Sequence, residues 1–514
     1  MDTLKELALL LTRNKAKSIE VLDVRKHKES KINEFYYLLT EGAFDTDQQA
    51  AEHFYSEQKG GSNYRKLKAA LKQRMLNSVF FIDAKKNHYT DRQSAYYECY
   101  KDWAAVNILL GKNAYQSSLE LARKVLRYAE KFEFTELSRD VCRVLRLHFG
   151  AQMGDAKQYR IYREQYERYE AICRWENIAE RHYTDAMIEF VNSKERKEHL
   201  VQQVEEAIAE LATYCKQSES YRLNMYYYLL RLIRQSMDNN FDQVYTVGEE
   251  MATFFEGKDY TAATPLQIAY YYQLLACTQL GRFEDGHRIA QKCLSLQTTG
   301  SFNWFKYQEL YFLLAMHSGE YNEAYRIYVE VIKNNRFKHL PENVQEIWTI
   351  FWAYLYYLYR TEHLKVENEA EFSKFRLGRF MNETPIFSKD KRGMNIAILV
   401  VQILLLIEQE KYNVAIDKFD SLQKYCARYL HKAETLRSYY FLKMLLCFPA
   451  GNFHRAAVER KAATYMKKLQ AIPLENASQT YKIEILPYEK LWDISIETVT
   501  LKIYKGRNSQ KFGS

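Results

Sequence analysis

One short phrase recurs along this chain and restricts what it can fold into. An aromatic-rich apolar stretch ends at a break. Phe or Tyr follows two residues later, and a small residue three beyond that sits in a second amphipathic stretch. The phrase reads Gly281-Arg282-Phe283-Glu284-Asp285-Gly286, Gly319-Glu320-Tyr321-Asn322-Glu323-Ala324, Glu410-Lys411-Tyr412-Asn413-Val414-Ala415 and Gly451-Asn452-Phe453-His454-Arg455-Ala456. A weaker copy runs Asn239-Asn240-Phe241-Asp242-Gln243-Val244. The break residues Asn239, Gly281, Gly319, Glu410 and Gly451 lie 42, 38, 91 and 41 residues apart, so the third gap holds room for one less regular unit. A repeat near forty residues, each a pair of helices, predicts stacked hairpins, because one hairpin cannot bury its apolar face alone.

Composition supports helices. Only 6 Pro and 17 Gly occur in 514 residues, and 47% of the chain is hydrophobic, so little interrupts a helix and the chain is not disordered. The expected fold class is all-α, an α-solenoid of stacked antiparallel helical hairpins. Residues 1–89 form an N-terminal helical segment, with helices over 30–39, 45–55 and 64–81. Residues 90–220 form degenerate hairpins, pairing 137–149 with 157–172 and placing further helices near 177–192 and 200–215. Residues 221–470 carry the clear repeats, with an irregular insertion near 365–391 that contains Gly378 and Pro385. The helix 344–359 is opened by Pro341 at a position where its missing N–H costs nothing. Residues 471–514 read as a C-terminal tail, in which 494–504 suits a short strand as well as a helix.

Met1–Ser18 carries Asp2 and Glu6 and too short an apolar run for a signal peptide. Ile396–Ile407 is the most apolar run and is too short to span a bilayer, so it reads as a buried core helix. The eight cysteines include no C-x-x-C pair and sit in helical patterns, as buried thiols of a cytoplasmic protein do.

These residues resemble tetratricopeptide repeats, a family with a Gly near the first turn, an aromatic two residues on, and small residues at fixed offsets beyond. Gly319, Tyr321, Ala324 and Tyr328 match, with Val331 at the last small position. Gly281, Phe283, Gly286 and Cys293 match, with Ala290 at the aromatic position. Glu410, Tyr412, Ala415 and Phe419 match without the Gly. Gly451, Phe453, Ala456 and Ala463 match, with Arg460 at the aromatic position. The repeats here are longer than the family's, and the closing Pro is mostly absent. The resemblance implies that the first helix of each hairpin lines a concave face. Counting back from the breaks, that face takes Tyr226, Leu229 and Ile233; Ile268, Tyr271 and Leu275; Lys306, Glu309, Leu313 and Met316; Ala397, Val400 and Leu404; Ser438, Phe441 and Leu445.

The expected partner-binding residues are therefore Tyr226, Leu229, Tyr271, Leu275, Leu313, Met316 and Phe441. Such an apolar, tyrosine-dotted groove suits an amphipathic helix or an extended segment. It lacks the Lys, Asn and Arg set with which some family members grip a C-terminal carboxylate. Tyrosine is abundant, with 43 copies, and runs such as Tyr226-Tyr227-Tyr228, Tyr270-Tyr271-Tyr272, Tyr356-Tyr357 and Tyr439-Tyr440 serve equally to pack helix on helix. The chain's own C-terminal segment is a further candidate occupant.

Between Lys424 and Lys468 stand ten basic residues against two acids, close to the whole net charge of +9. Lys424, Arg428, Lys432, Arg437, Arg455, Arg460, Lys461, Lys467 and Lys468 form an expected basic patch. It reads as a solvated cap, a seat for an acidic protein face, or a nucleic-acid contact. No Gly-rich phosphate loop and no H-E-x-x-H occurs, and the 12 histidines are dispersed. His182 reads as a surface residue, and His148 and His317 as helix-end residues beside the negative dipole end. No catalytic residue, metal ligand or cofactor is expected. The function read from the sequence is a non-enzymatic interaction scaffold. The alternatives are a regulatory sensor of a peptide or small ligand and a nucleic-acid-binding module.

Overall fold

The computed structural model describes residue 6 and residues 30–55, 61–81, 90–192, 198–366, 372–383, 394–429, 436–474 and 484–511. Among these residues the regular structure is helical and no strand occurs, so the protein is all-α. The chain divides into two compact units. One comprises residues 1–178 and 218–221, the other residues 179–217 and 222–514.

In the first unit, α1 (Lys31–Thr40), α2 (Asp47–Tyr55) and α3 (Ser62–Val79) close around Phe35, Ala51, Phe54, Tyr64 and Leu71. Next come α4 (Asp91–Gly111), α5 (Tyr115–Lys131) and α6 (Thr135–Leu147), with α5 packed on α4 and α6 on α5. Thr90 and Gln93 form a reciprocal capping box at the start of α4. A π-helical turn, His148–Gln152, leads to α7 (Ala156–Asn192). The two helices expected over 157–172 and 177–192 are one helix of 37 residues. Nothing from Cys173 to Glu176 removes a backbone donor or favours a turn, so the helix continues.

The second unit holds α8 (Glu198–Cys215) and then the hairpins. These are α9 (Tyr221–Met237) with α10 (Phe241–Glu256), α11 (Ala263–Leu280) with α12 (Phe283–Ser295), and α13 (Phe302–Ser318) with α14 (Tyr321–Lys333). After α15 (Glu342–Arg360) and a short α16 (Leu377–Glu383) come α17 (Met394–Glu408) with α18 (Tyr412–Tyr429), and α19 (Leu436–Leu445) followed by the short α20 (Cys447–Ala450) and α21 (Arg455–Gln470). The last helix is α22 (Tyr488–Lys511). Successive helices pack together, α11 on α12 and α13, α14 on α15, α17 on α18, α18 on α19. The run expected as a buried helix is α17, whose residues from Met394 to Ile398 and Val400 to Glu408 are buried. No described helix is long and apolar enough to cross a membrane.

The recurring phrase has a conformational cause. Its break residue takes the left-handed conformation that stops a helix and reverses the chain: φ is 52° at Asn239, 67° at Gly281, 86° at Gly319 and 57° at Glu410. The small residue five on then meets the neighbouring helix. A Cβ on Gly286 would collide with Leu314 and lie 3.0 Å from the Cys277 Cβ, while Ala324 and Ala415 have no exposed surface. The last copy is displaced along the chain. Asn452 and Phe453 carry the positive φ in place of Gly451, and Val458 is buried where Ala456 is exposed. Two further copies escaped the sequence reading. Asn113 (φ 58°), Tyr115 and buried Ser118 repeat the phrase, and Glu133 (φ 57°) with buried Ser138 repeats it without the aromatic.

A side chain with a Cβ is strained in the left-handed region by about 1–2 kcal/mol, partly offset by the greater freedom of Gly in the unfolded chain. Glu410→Gly is therefore expected to stabilise the protein by roughly 0.5–1 kcal/mol and Gly281→Ala to destabilise it by about 1 kcal/mol. Urea unfolding at neutral pH reads both.

Candidate partner-binding groove

The faces expected to line a groove, on α9, α11, α13, α17 and α19, fare differently. On α9 and α11 a stripe stays half-buried. Met225 and Tyr226 lie on α9, followed by Ile268, Tyr271, Tyr272 and Leu275 at three- and four-residue spacing on α11. Tyr226 packs at 5.4 Å against Tyr183 of α7, and its hydroxyl donates to Glu180, which also holds Arg222. Tyr271 meets Tyr272 and Tyr307 edge-on at 5.7 and 5.9 Å. Burial, together with the nearby Tyr271 and Tyr183, pushes the Tyr272 hydroxyl up to about 12, so it stays a neutral donor.

From α13 onward that face is covered. Leu313, Met316 and Phe441 have no exposed surface, and Ala397, Val400 and Leu404 are buried; on α9 Leu229 and Ile233 are buried too, so the expectation that Leu229 meets a partner is corrected as well. The expectation that Leu313, Met316 and Phe441 meet a partner is corrected, because a fully enclosed side chain offers no area to bind. Leu313→Asp would put a carboxylate into the core and unfold the unit, not merely weaken a contact. Tyr226, Tyr271 and Leu275 keep partial exposure.

Residues 484–499 provide much of the cover. The backbone carbonyl of Glu484 accepts from His317 Nε2 of α13 at 2.6 Å. Ser495 bonds Tyr357 of α15 at 3.3 Å, α22 packs along α17, and Tyr488 bonds Ser438 of α19 at 2.9 Å. The Tyr488 ring stacks on Phe441 at 4.3 Å with the planes 6° apart, and Trp492 meets Phe448 at 5.5 Å. Leu491, Ile494, Ile496 and Val499 are buried among them.

An ion cluster pins this segment. Arg437 is 2% exposed, and its Nε and Nη2 donate to the two carboxylate oxygens of Glu484 at 2.7 and 3.0 Å. Nη2 also donates to Glu489 at 2.8 Å, and Nη1 to the Leu469 and Ile472 carbonyls. Burial works against the guanidinium charge, but Glu484 and Glu489 outweigh it, so Arg437 stays protonated. The same burial raises the Glu484 carboxyl, and Arg437 pulls it back only in part. Arg437 is thus removed from the expected basic patch: its charge is spent inside the protein. Lys424, Arg455, Arg460, Lys461, Lys467 and Lys468 are exposed, although Arg455 pairs with Glu459 at 3.0 Å. Lys432 and the side chain of Arg428 lie outside the described residues.

The tyrosine runs divide among faces, as about 100° of turn per residue requires. Tyr226 faces Glu180 while Tyr228 faces Phe254. Tyr357 meets Ser495 while Tyr356 stacks on Phe375 at 4.1 Å. The irregular insertion is anchored by aromatics: Phe372 stacks on Trp352 and Tyr359, each at 4.5 Å. No sequence spacing signalled these pairs.

Chemical groups are few. Among the described residues no group of His, Cys, Asp and Glu is placed to hold a metal ion. Burial pushes the thiols of Cys142, Cys277 and Cys293 up to about 12, which leaves them protonated. His182 pairs with Glu210 at 2.9 Å. His317 is corrected from a helix-end cation to a buried neutral donor, since burial lowers its pKa to about 4. No family model matches this chain, and no curated protein or solved structure matches it either.

Two outcomes are expected. Arg437→Met strands the buried carboxylate of Glu484 and should cost about 3 kcal/mol or more in urea unfolding. His317 has a folded pKa below its unfolded value of 6.5, so its contribution is whole above pH 6.5 and is lost as pH falls toward 4. The loss reaches about 3 kcal/mol, and His317→Gln, which keeps a donor for Glu484, should flatten that part of the stability profile between pH 6.5 and 4.

Proposed function

We propose that the chain is a tetratricopeptide-like α-solenoid acting as a non-enzymatic interaction scaffold in the cytoplasm, and that its partner is an amphipathic helix seated on α9 and α11. One contrast carries this reading. The last helix meets Tyr357 of α15, packs on α17 and reaches Ser438 and Phe441 of α19, and Glu484 just before it meets His317 of α13, whereas Met225, Tyr226, Ile268, Tyr271, Tyr272 and Leu275 stay half-exposed. The contacts of α22 illustrate what such a face accepts: stacked aromatics, a buried Ser–Tyr hydrogen bond and an apolar helix flank. Tyrosine suits a partner surface because it presents large area at little entropic cost and keeps a hydroxyl for water or a ligand.

A second reading has its own observation. Arg460, Lys461, Lys467 and Lys468 are exposed on α21 as two adjacent pairs seven residues, about two helical turns, apart. This face suits an acidic protein surface, with a nucleic-acid backbone as the competing ligand.

Co-purification of the full chain should recover a stoichiometric protein partner. Tyr226→Ala with Tyr271→Ala should weaken its capture by roughly ten- to a hundredfold, the range of interface aromatic anchors, with the fold retained. Equal capture by the double variant sinks the groove reading. Loss confined to a variant of Arg460, Lys461, Lys467 and Lys468 supports the second.

A further inference from the structure

In the first unit, a cleft of about 780 Å³ opens where α6 passes through the π-helical turn into α7. Arg143, Arg146 and Leu147 of α6 form one wall, Gly150 and Ala151 of the turn the floor, and Tyr159 of α7 the other wall. Neither arginine has an ion pair among the described residues, whereas Arg139, one turn earlier on α6, is held by Asp140 at 3.0 Å. Arg146 is steadied by the Tyr166 ring, 4.2 Å from its guanidinium, and Arg143 is exposed. Lys157 and Arg160, in the first turns of α7, add positive charge, and from residue 141 to 163 the sequence holds five basic residues against one acid.

That one acid is Asp155. Its carboxylate is committed to the α7 N-terminus, where it accepts from the Lys157 and Gln158 amides, each at 3.0 Å. It is therefore not a counter-ion for the arginines. The cleft also has an apolar side. Leu147, 61% exposed, supplies it together with the Tyr159 ring. The turn itself is specified. A Cβ on Gly150 would come within 2.7 Å of the Tyr159 ring, so Gly lets the wider π turn lie flat on the tyrosine. Single π turns inside helical runs concentrate at functional sites because they weaken the hydrogen-bond ladder.

We propose that this cleft binds an acidic amphipathic segment of a partner protein, with a carboxylate between Arg143 and Arg146 and an apolar side chain against Leu147 and Tyr159. Guanidinium pairs favour carboxylates through planar, two-pronged hydrogen bonding, and the apolar wall distinguishes such a segment from a purely charged polymer. The site is independent of α9 and α11, and its failure leaves the groove reading untouched.

The test uses the full chain and fluorescence anisotropy with four labelled probes: a twelve-residue peptide of Leu and Glu, its Leu and Lys counterpart, an all-Glu peptide and a twelve-nucleotide DNA strand. The Leu–Glu peptide should bind tightest. Arg143→Glu with Arg146→Glu should weaken it by at least about tenfold, consistent with lost charge pairing at an interface. Leu147→Ser should weaken the Leu–Glu peptide while leaving the all-Glu peptide unchanged. Both substituted arginines lie on the surface side of α6, and a circular dichroism melt checks that the variants fold. Equal binding by the arginine double variant overturns the proposal. So does DNA or all-Glu binding as tight as Leu–Glu binding, which would mark a general anion surface, or equal binding of the Leu–Lys peptide.

Discussion

The second unit depends on one buried contact set, the Arg437 guanidinium gripping Glu484 and Glu489. An isolated buried ion pair is weak evidence of stability, because desolvation consumes most of the attraction. Here the pair does something more particular, since it fixes where the C-terminal segment enters the fold. Glu484 uses its carboxylate on Arg437 and its carbonyl on His317, so a single residue ties α19 to α13. Tyr488, Trp492 and Ser495 then fall at helical spacing onto α19, α20 and α15. Shifting that entry point by one residue would turn each of them by about 100° away from its partner.

Much of the architecture could be read from the chain. The repeat phrase located the hairpin turns because left-handed φ values select Gly and Asn, and close helix approach selects small side chains. Both demands are local, so they leave a local trace. Where another residue pays the strain, as at Glu133, the phrase is faint, and only the break between the helices ending at Phe132 and starting at Leu137 can be read. The long α7 is one helix although the sequence suggested two, since nothing between Ile172 and Asn177 forbids a helix.

The candidate site was less legible. Tyr226, Tyr271 and Leu275 were placed on a partly open face by counting back from the breaks, but the same counting also selected Leu313, Met316 and Phe441. Phe441 is covered by Tyr488, on a helix more than forty residues further along the chain, and repeat spacing carries no record of it. Arg437 shows the same limit for charge. Counting basic residues treats every arginine as solvated, while its nearest acid in space, Glu484, is 47 residues away. The arginines of the α6–α7 cleft escaped notice for the converse reason: two charges at a three-residue spacing look ordinary until the π turn gives them a wall to face.

The His317–Glu484 hydrogen bond joins residues 167 positions apart, and Tyr357 waits 138 positions for Ser495. Repeat arrays usually fold by nearest-neighbour contacts, each unit settling as it is made. This one cannot finish so early. At synthesis rates of about 5–20 residues per second, His317 waits roughly ten to thirty seconds for its acceptor to be made. During that interval Tyr357, Phe441 and Phe448 also lack the side chains that cover them in the finished protein. The late helix therefore sets the moment at which the earlier hairpins acquire their last partners.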